Sequence, residues 1–386
     1  MMTTNQIHAP NLSYWEKETF FKDIDIAIIG SGIVGLNAAI RLKELDASLR
    51  VVILERGILP MGASTKNAGF ACFGSLSELI DDLAQHSMEE VLNLVSQRWE
   101  GLQRLRARVG TERLAYQAYG GYELFRSTDQ LRYEACLEKL VEFNQALSSI
   151  TGVADTFRLQ DAKIAQFGFQ QVEHLIHNQA EGQIHTGKMM EALMELARKK
   201  GVAIYTGINI QKIDEAQDQV HLSCSTTTWS IYAKKVIVAT NGFAQQLLPD
   251  LAVKPARNQV LITKPIKKLA FKGCFHYDCG YFYFRNINQR ILLGGGRNLA
   301  PTEETTDAFG WTPLIRTALH DLLNQVILPG QGVAVDHYWS GILGLGNQKK
   351  AIVEFVSPKV LVAVRLGGMG VAIGTLIGEA AAEEVL

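Results

Sequence analysis

Apolar residues fall into two spacings along this chain, and the changes between them predict its architecture. Residues 24–29 and 51–54 are short continuous apolar runs rich in β-branched side chains, as strands covered on both faces are. Residues 235–239 (KVIVA) and 361–365 repeat that pattern much later. Helical spacing begins inside Gly30-Ser-Gly32-Ile33-Val-Gly35. It returns over 88–109, where Val91, Leu92, Val95, Trp99, Leu102, Leu105 and Val109 recur every three to four residues. Residues 131–150 and 187–201 predict two more helices, the second with Met189, Met190, Leu193, Met194 and Ala197 on one face and Lys199-Lys200-Gly201 as its stop signal. Period-two alternation over 208–213, 219–224 and 229–232 predicts a small antiparallel sheet. The stretch 255–339 is strand-rich and interrupted by one helix at 314–327, and the chain ends in a glycine turn followed by an apolar helix.

The fold class is therefore α/β. A Rossmann-like dinucleotide-binding domain is built from discontinuous segments (1–75, 151–250, 341–386). An α+β substrate domain with a mostly antiparallel sheet takes 76–150 and 251–340. Tyr14, Trp15, Phe20 and Phe21 are expected to pin the N-terminal arm to the body.

Chemistry enters at the first strand–helix junction. Strand, Gly30-x-Gly32-x-x-Gly35, helix, second strand and then Glu55 occur in the order of a dinucleotide-binding βαβ unit. Gly30 permits the tight turn, Gly32 the approach of a pyrophosphate to the backbone, and Gly35 close packing of helix on strand. Phosphates belong at the helix N-terminus, where free N–H groups and the dipole favour negative charge. Glu55 is placed to accept hydrogen bonds from a ribose. Ser64 and Thr65 stand where a second helix should begin, either as its caps or beside a second phosphate. Strand 235–239 ends in Thr240-Asn241-Gly242 beside the same crevice, and Gly367-Gly368-Met369-Gly370 aims another helix N-terminus at it. These positions alone do not distinguish FAD from NAD.

Composition removes other classes. A formal net charge of −1 offers no electrostatic case for nucleic acid or an anionic membrane. Five scattered cysteines lack paired spacing, so no metal site is expected and reduced thiols in a cytoplasmic protein fit best. The first residues have no basic and apolar leader pattern, and no apolar run is long enough to span a membrane.

Taken in order, IIGSGIVG, ILERG, GASTKNAGF, VIVATNGF, Pro255-Ala-Arg257-Asn-Gln259, YFYFRN…RILLGGGR, Trp339-Ser-Gly341 and GGMGVA resemble the D-amino-acid-oxidase-like family of FAD-dependent oxidoreductases. That family includes glycine oxidase, sarcosine oxidase and γ-glutamylputrescine oxidoreductase. The resemblance covers nearly the whole chain and implies FAD. Gly30, Gly32, Ile33 and Gly35 would hold the pyrophosphate, and Glu55 with Arg56 would lie at the adenosine ribose. Ser64, Thr65, Lys66, Asn67 and Ala68 would follow the phosphates and ribityl chain. Ile210, Thr240, Asn241, Gly242 and Gly341 would complete the walls, and Gly368, Met369, Gly370 and Val371 would approach the isoalloxazine. Some members attach FAD through a His in GxSWHxxG, where Lys66 stands here, and no Cys follows Cys279, so non-covalent FAD is expected.

The resemblance further implies oxidation of a C–N bond in an amine or amino acid by hydride transfer to flavin N5, giving an imine that hydrolyses. O₂ or an electron carrier would be the acceptor. No side-chain base is needed once the amine is neutral. Arg285 is the candidate carboxylate clamp, with Tyr281 and Tyr283 on the same strand face, and His337 is the histidine to test. Glycine oxidase carries an Arg in its C-terminal turn. Here that turn is GGMG, so a larger or secondary amine fits at least as well as a small amino acid. The alternatives are a 2-hydroxy acid dehydrogenase on the same fold and a non-catalytic flavin-binding redox module.

Overall fold

The computed structural model describes residues 12–225 and 229–386; the expectation about a leader rests mainly on residues 1–11, outside them. The first sheet runs Ile352–Ser357, Val360–Val364, Ser230–Val238, Ile24–Ile29, Val51–Glu55 and Ala203–Thr206. Its neighbours are parallel except for the Ile352–Ser357 hairpin, and Ile210–Glu215 and Val220–Cys224 pair antiparallel beside Ser230–Val238. The continuous apolar runs are explained by cover on both faces. Ile28, Ile53 and Ile237 enter the core beneath the helices, whereas Ala27, Val52 and Val236 enter a second core on the opposite side.

At the first junction the glycines act as the sequence requires. Gly30 sits at φ +105°, a conformation that side chains disfavour. A Cβ on Gly35 would lie 2.1 Å from the Gly30 carbonyl oxygen, so the helix Ile33–Leu45 approaches the strand end only because Gly35 has none.

The second sheet runs Val335–Leu345, Lys254–Thr263, Arg290–Gly295, Phe282–Ile287, Cys274–Tyr277, Gly121–Phe125, His174–Asn178 and Phe157–Leu159. All neighbours are antiparallel except Cys274–Tyr277 with Gly121–Phe125. The segment limits move accordingly. Phe157–Leu159 and His174–Asn178 pair within this second sheet and not the first, and Val335–Leu345 continues it past residue 340. Helix Met88–Val109 packs on the C-terminal helix Gly370–Val385 of the nucleotide domain, with Arg108 2.6 Å from the buried Glu379 carboxylate. These differences arise from partners distant in sequence.

Three local expectations change. No helix starts at Ser64; Ala63–Thr65 is one 3₁₀ turn. The helix expected over 314–327 is Pro313–Asp321 continued by a π-helical turn, Leu322–Ile327. In the N-terminal arm Phe21 packs on Tyr205 and Trp229, but Tyr14 and Trp15 are exposed. A capping box at Ser13 and Glu16 orders that turn without burying its aromatics.

Replacing Gly35 by Ala should destabilise the fold by about 1–3 kcal/mol through backbone overpacking. A urea unfolding midpoint unchanged from the parent would refute the close-approach account.

Candidate functional site

The crevice at the carboxyl ends of the parallel strands is a cavity of about 130 Å³. Its walls include Gly30, Gly32, Ile33, Glu55, Arg56, Ser64, Asn67, Ile210, Thr240, Asn241, Gly368, Gly370 and Val371. Glu55 is buried and already organised: one carboxylate oxygen accepts from Ser31 N (3.0 Å) and Ser31 Oγ (2.6 Å), the other from Gly57 N (3.0 Å). The Arg56 guanidinium stacks 3.9 Å from the Phe243 ring centroid and donates to Gln246 Oε1. Ser64 Oγ accepts from Ile33 N at 2.9 Å, so it caps the nucleotide helix from another loop. Thr65 turns its hydroxyl to Pro60 O, away from the crevice. Asn241, at φ +45°, accepts from Arg365 N and Leu366 N and so ties the Ser230–Val238 strand end to the C-terminal glycine turn. Thr240 Oγ1 is buried and has no hydrogen-bond partner among the described residues.

A second cavity, about 470 Å³, continues from the first through the shared walls Ala63, Asn67, Leu343, Gly368 and Val371. It lies between the Lys66–Phe70 loop, the glycine turn at 367–369 and one face of the antiparallel sheet. Lys66, Ala68, Gly341 and Met369 line it, and Trp339 Nε1 donates to Lys66 O at 2.9 Å. Tyr281, Tyr283, Asn258 and Arg297 form the sheet side. Glu78, Asp81 and Asp82 form part of another wall, where Asp82 pairs with Lys349. Burial holds the Tyr283 phenol up at about 12, so it remains a hydrogen-bond donor.

His276, beside Tyr283 across the strands, lies in the floor with Cys72. Its Nε2 is 2.9 Å from the buried Glu181 carboxylate. Burial opposes the imidazolium, but the Glu181 charge outweighs it and pushes the pKa of His276 up to about 9. Cys72 Sγ lies within 4.8 Å of those ligating atoms, and burial followed by the Glu181 charge raises its thiol far above the ordinary range. The sequence treated His276 as one of several scattered histidines, because no spacing signals that residues 72, 181 and 276 meet.

Two candidates lie elsewhere. Arg285 is buried with its Nη1 donating to Gly69 O and Ile184 O, both at 2.9 Å, and it lines neither cavity. Strand alternation placed it correctly beside Tyr283, but that face passes beneath the Gly69 loop at this position, so the guanidinium braces main chain. His337 is exposed and stacked on Trp339, outside both cavities. Gly35 and Gly242 also line neither; a Cβ on Gly242 would lie 2.4 Å from Leu343 O.

The sequence pattern of the family described as FAD dependent oxidoreductase matches residues 25–384. The chain belongs to this family. It is 25% identical over 336 residues to the "Bifunctional protein ThiO/ThiG" of Synechocystis sp., covering 82% of this chain but only 44% of that protein's length. Glycine oxidase from Bacillus cereus superposes with a TM-score of 0.73 at 16% identity over 94% of this chain and 95% of that one. L-proline dehydrogenase from P. horikoshii gives the same TM-score and identity over 94% and 93%. Among the described residues no helix is long and apolar enough to cross a membrane.

The residues present fit FAD. A glycine turn, a helix N-terminus, a buried carboxylate and the orphaned Thr240 hydroxyl converge on one crevice, and the crevice opens into a second cavity. Thr240→Val should leave the apoprotein at least as stable, because it removes a buried unpaired hydroxyl. It should weaken FAD binding about two- to tenfold, the worth of one hydrogen bond. Flavin fluorescence titration reads this, and unchanged affinity would remove Thr240 from the cofactor site.

The raised His276 pKa carries a sign. A group protonated more readily when folded contributes stability below its unfolded pKa of about 6.5, and the contribution is lost as pH rises through about 9. The thermal midpoint should therefore fall between about pH 6.5 and 9 more steeply in the parent than in His276→Gln. Parallel profiles would refute the ion pair.

Proposed function

We propose that the chain oxidises the C–N bond of an amine or amino acid with non-covalently held FAD. In the overall reaction the substrate loses hydride from carbon and a proton from nitrogen, and water then converts the imine to a carbonyl compound and a free amine. FAD supplies the hydride acceptor, flavin N5, when it is bound.

The observation that carries this reading is the chemistry of the larger cavity. Removing hydride from a hydroxy acid requires a base at the hydroxyl. His276 enters the floor, but Glu181 keeps it protonated at neutral pH, which disqualifies it as that base. An amine releases its proton to water and needs no such group. The remaining walls bind and orient: Tyr281 and Tyr283 supply flat surfaces and a phenol donor, and Phe70 packs edge-on against Tyr283 and His276. The second reading, a 2-hydroxy acid dehydrogenase, would have to take its base from another wall of this cavity, where Glu78, Asp81 and His86 stand, and not from His276.

The FAD-loaded protein should be mixed anaerobically with panels of amines, amino acids and 2-hydroxy acids while flavin absorbance is followed. Bleaching by a nitrogen donor and not by hydroxy acids is expected. Bleaching by hydroxy acids alone would overturn the proposal, and no bleaching by any donor would favour the redox module. Admitting air then separates O₂ from an electron carrier as acceptor, and acid precipitation should leave the flavin in the supernatant.

A further inference from the structure

One side of the larger cavity is closed by a connection and not by a strand or helix. Residues 346–350 carry the chain from Val335–Leu345 in the second sheet to Ile352–Ser357 in the first, and Gly346, Asn347 and Lys349 line the cavity. All five residues are exposed, and among the described residues none of them makes a main-chain to main-chain hydrogen bond. Arg365 holds the base of this segment. Its Nε donates to Lys350 O at 2.9 Å, and a Cβ on Gly346 would lie 2.5 Å from its Cδ, so both ends of the segment rest on one side chain. Arg365 itself is fixed at φ +64°, a conformation rare for a residue with a Cβ. Asn241 Oδ1 accepts from its N–H, and its Nη1 donates to Ala252 O. Asn241 also lines the dinucleotide crevice, which ties this base to the cofactor end.

The middle of the segment is tied differently. Lys349 Nζ pairs with Asp82, the last residue of the helix Leu76–Asp82 on the facing wall. The Asp82 side chain is 8% exposed and that of Lys349 43%, so the lysine lies over the carboxylate as a cover. A segment without ladder hydrogen bonds opens at low cost, and a partly exposed ion pair is weak enough to break and re-form. A fixed base with one breakable tie gives the segment two positions.

We propose that residues 346–350 form a strap over the larger cavity, swinging on Arg365 and latched by the Lys349–Asp82 ion pair. Latched, it shuts bulk water out of the cavity. Released, it opens a path for ligands between itself and the Leu76–Asp82 helix. The device is the same whichever donor is oxidised, so its failure would leave the amine reading untouched.

The strap carries its own reporter. Trypsin cuts after lysine where main chain is released, at a rate that follows the open population, and Lys350 is present in every variant used. FAD-loaded parent, Asp82→Asn, Lys349→Met and the double variant are digested briefly, and the fragment beginning at Ala351 is followed by mass. Its release should be roughly two- to tenfold faster in each single variant, the worth of a partly buried ion pair, and no faster in the double. About 0.5 M salt should speed release from the parent and not from Lys349→Met. Entry to the cavity is read at Cys279, the cysteine of its wall that is not buried, with neutral iodoacetamide. Removing the Lys349 cation disfavours a thiolate, so at least about twofold faster alkylation in Lys349→Met reads access and not ionisation. Strap cleavage unchanged in either single variant, or gains that multiply in the double, would overturn the latch. Faster cleavage with Cys279 alkylation unchanged would overturn the gate.

Discussion

The approach of the first helix to its strand governs the cofactor end of this protein. With 2.1 Å between a hypothetical Gly35 Cβ and the Gly30 oxygen, no side chain fits, and the helix N-terminus therefore sits at the mouth of the crevice. Other elements are positioned relative to that point. Ser64 reaches it from a separate loop, Glu55 is braced by Ser31 from within the turn, and Asn241 ties the third strand to the returning C-terminal turn. The dipole of that helix N-terminus favours an anion at the mouth, although Ser64 Oγ already accepts from Ile33 N.

The larger cavity follows a different rule, the cost of burying charge. His276 and Glu181 are both almost completely enclosed, and each is tolerated because the other is 2.9 Å away. Glu123 accepts from Ser75 and from the Ser77 backbone, and Asp82 meets Lys349. By contrast Asn258 Oδ1 is buried without a partner, and the charged ends of Arg297 and Lys66 make only ring contacts among the described residues.

Sequence legibility divided along the same line. The βαβ unit, the helix over Met88–Val109 and the terminal glycine turn were legible because each is written in consecutive residues with a fixed period. Arg285 shows the limit. Alternation assigned its face correctly, yet whether that face meets a cavity or a loop depends on Gly69 and Ile184, 216 and 101 residues away. His276 was passed over as an isolated histidine, since Glu181 and Cys72 join it only through sheet pairing and a returning loop. Sheet membership is hidden for the same reason: His174–Asn178 pairs with Gly121–Phe125, and Phe157–Leu159 pairs in turn with His174–Asn178.

By itself the sequence determined the α/β class, the dinucleotide junction and, through its ordered motifs, the FAD-dependent family, because those depend on local backbone conformation and spacing. Only the tertiary structure decided which polar side chains face the larger cavity and which are used up inside the protein. Arg285 and Arg297 are separated by twelve positions and carry the same group; one is enclosed by carbonyl oxygens and the other is left open, a difference made by what packs above each.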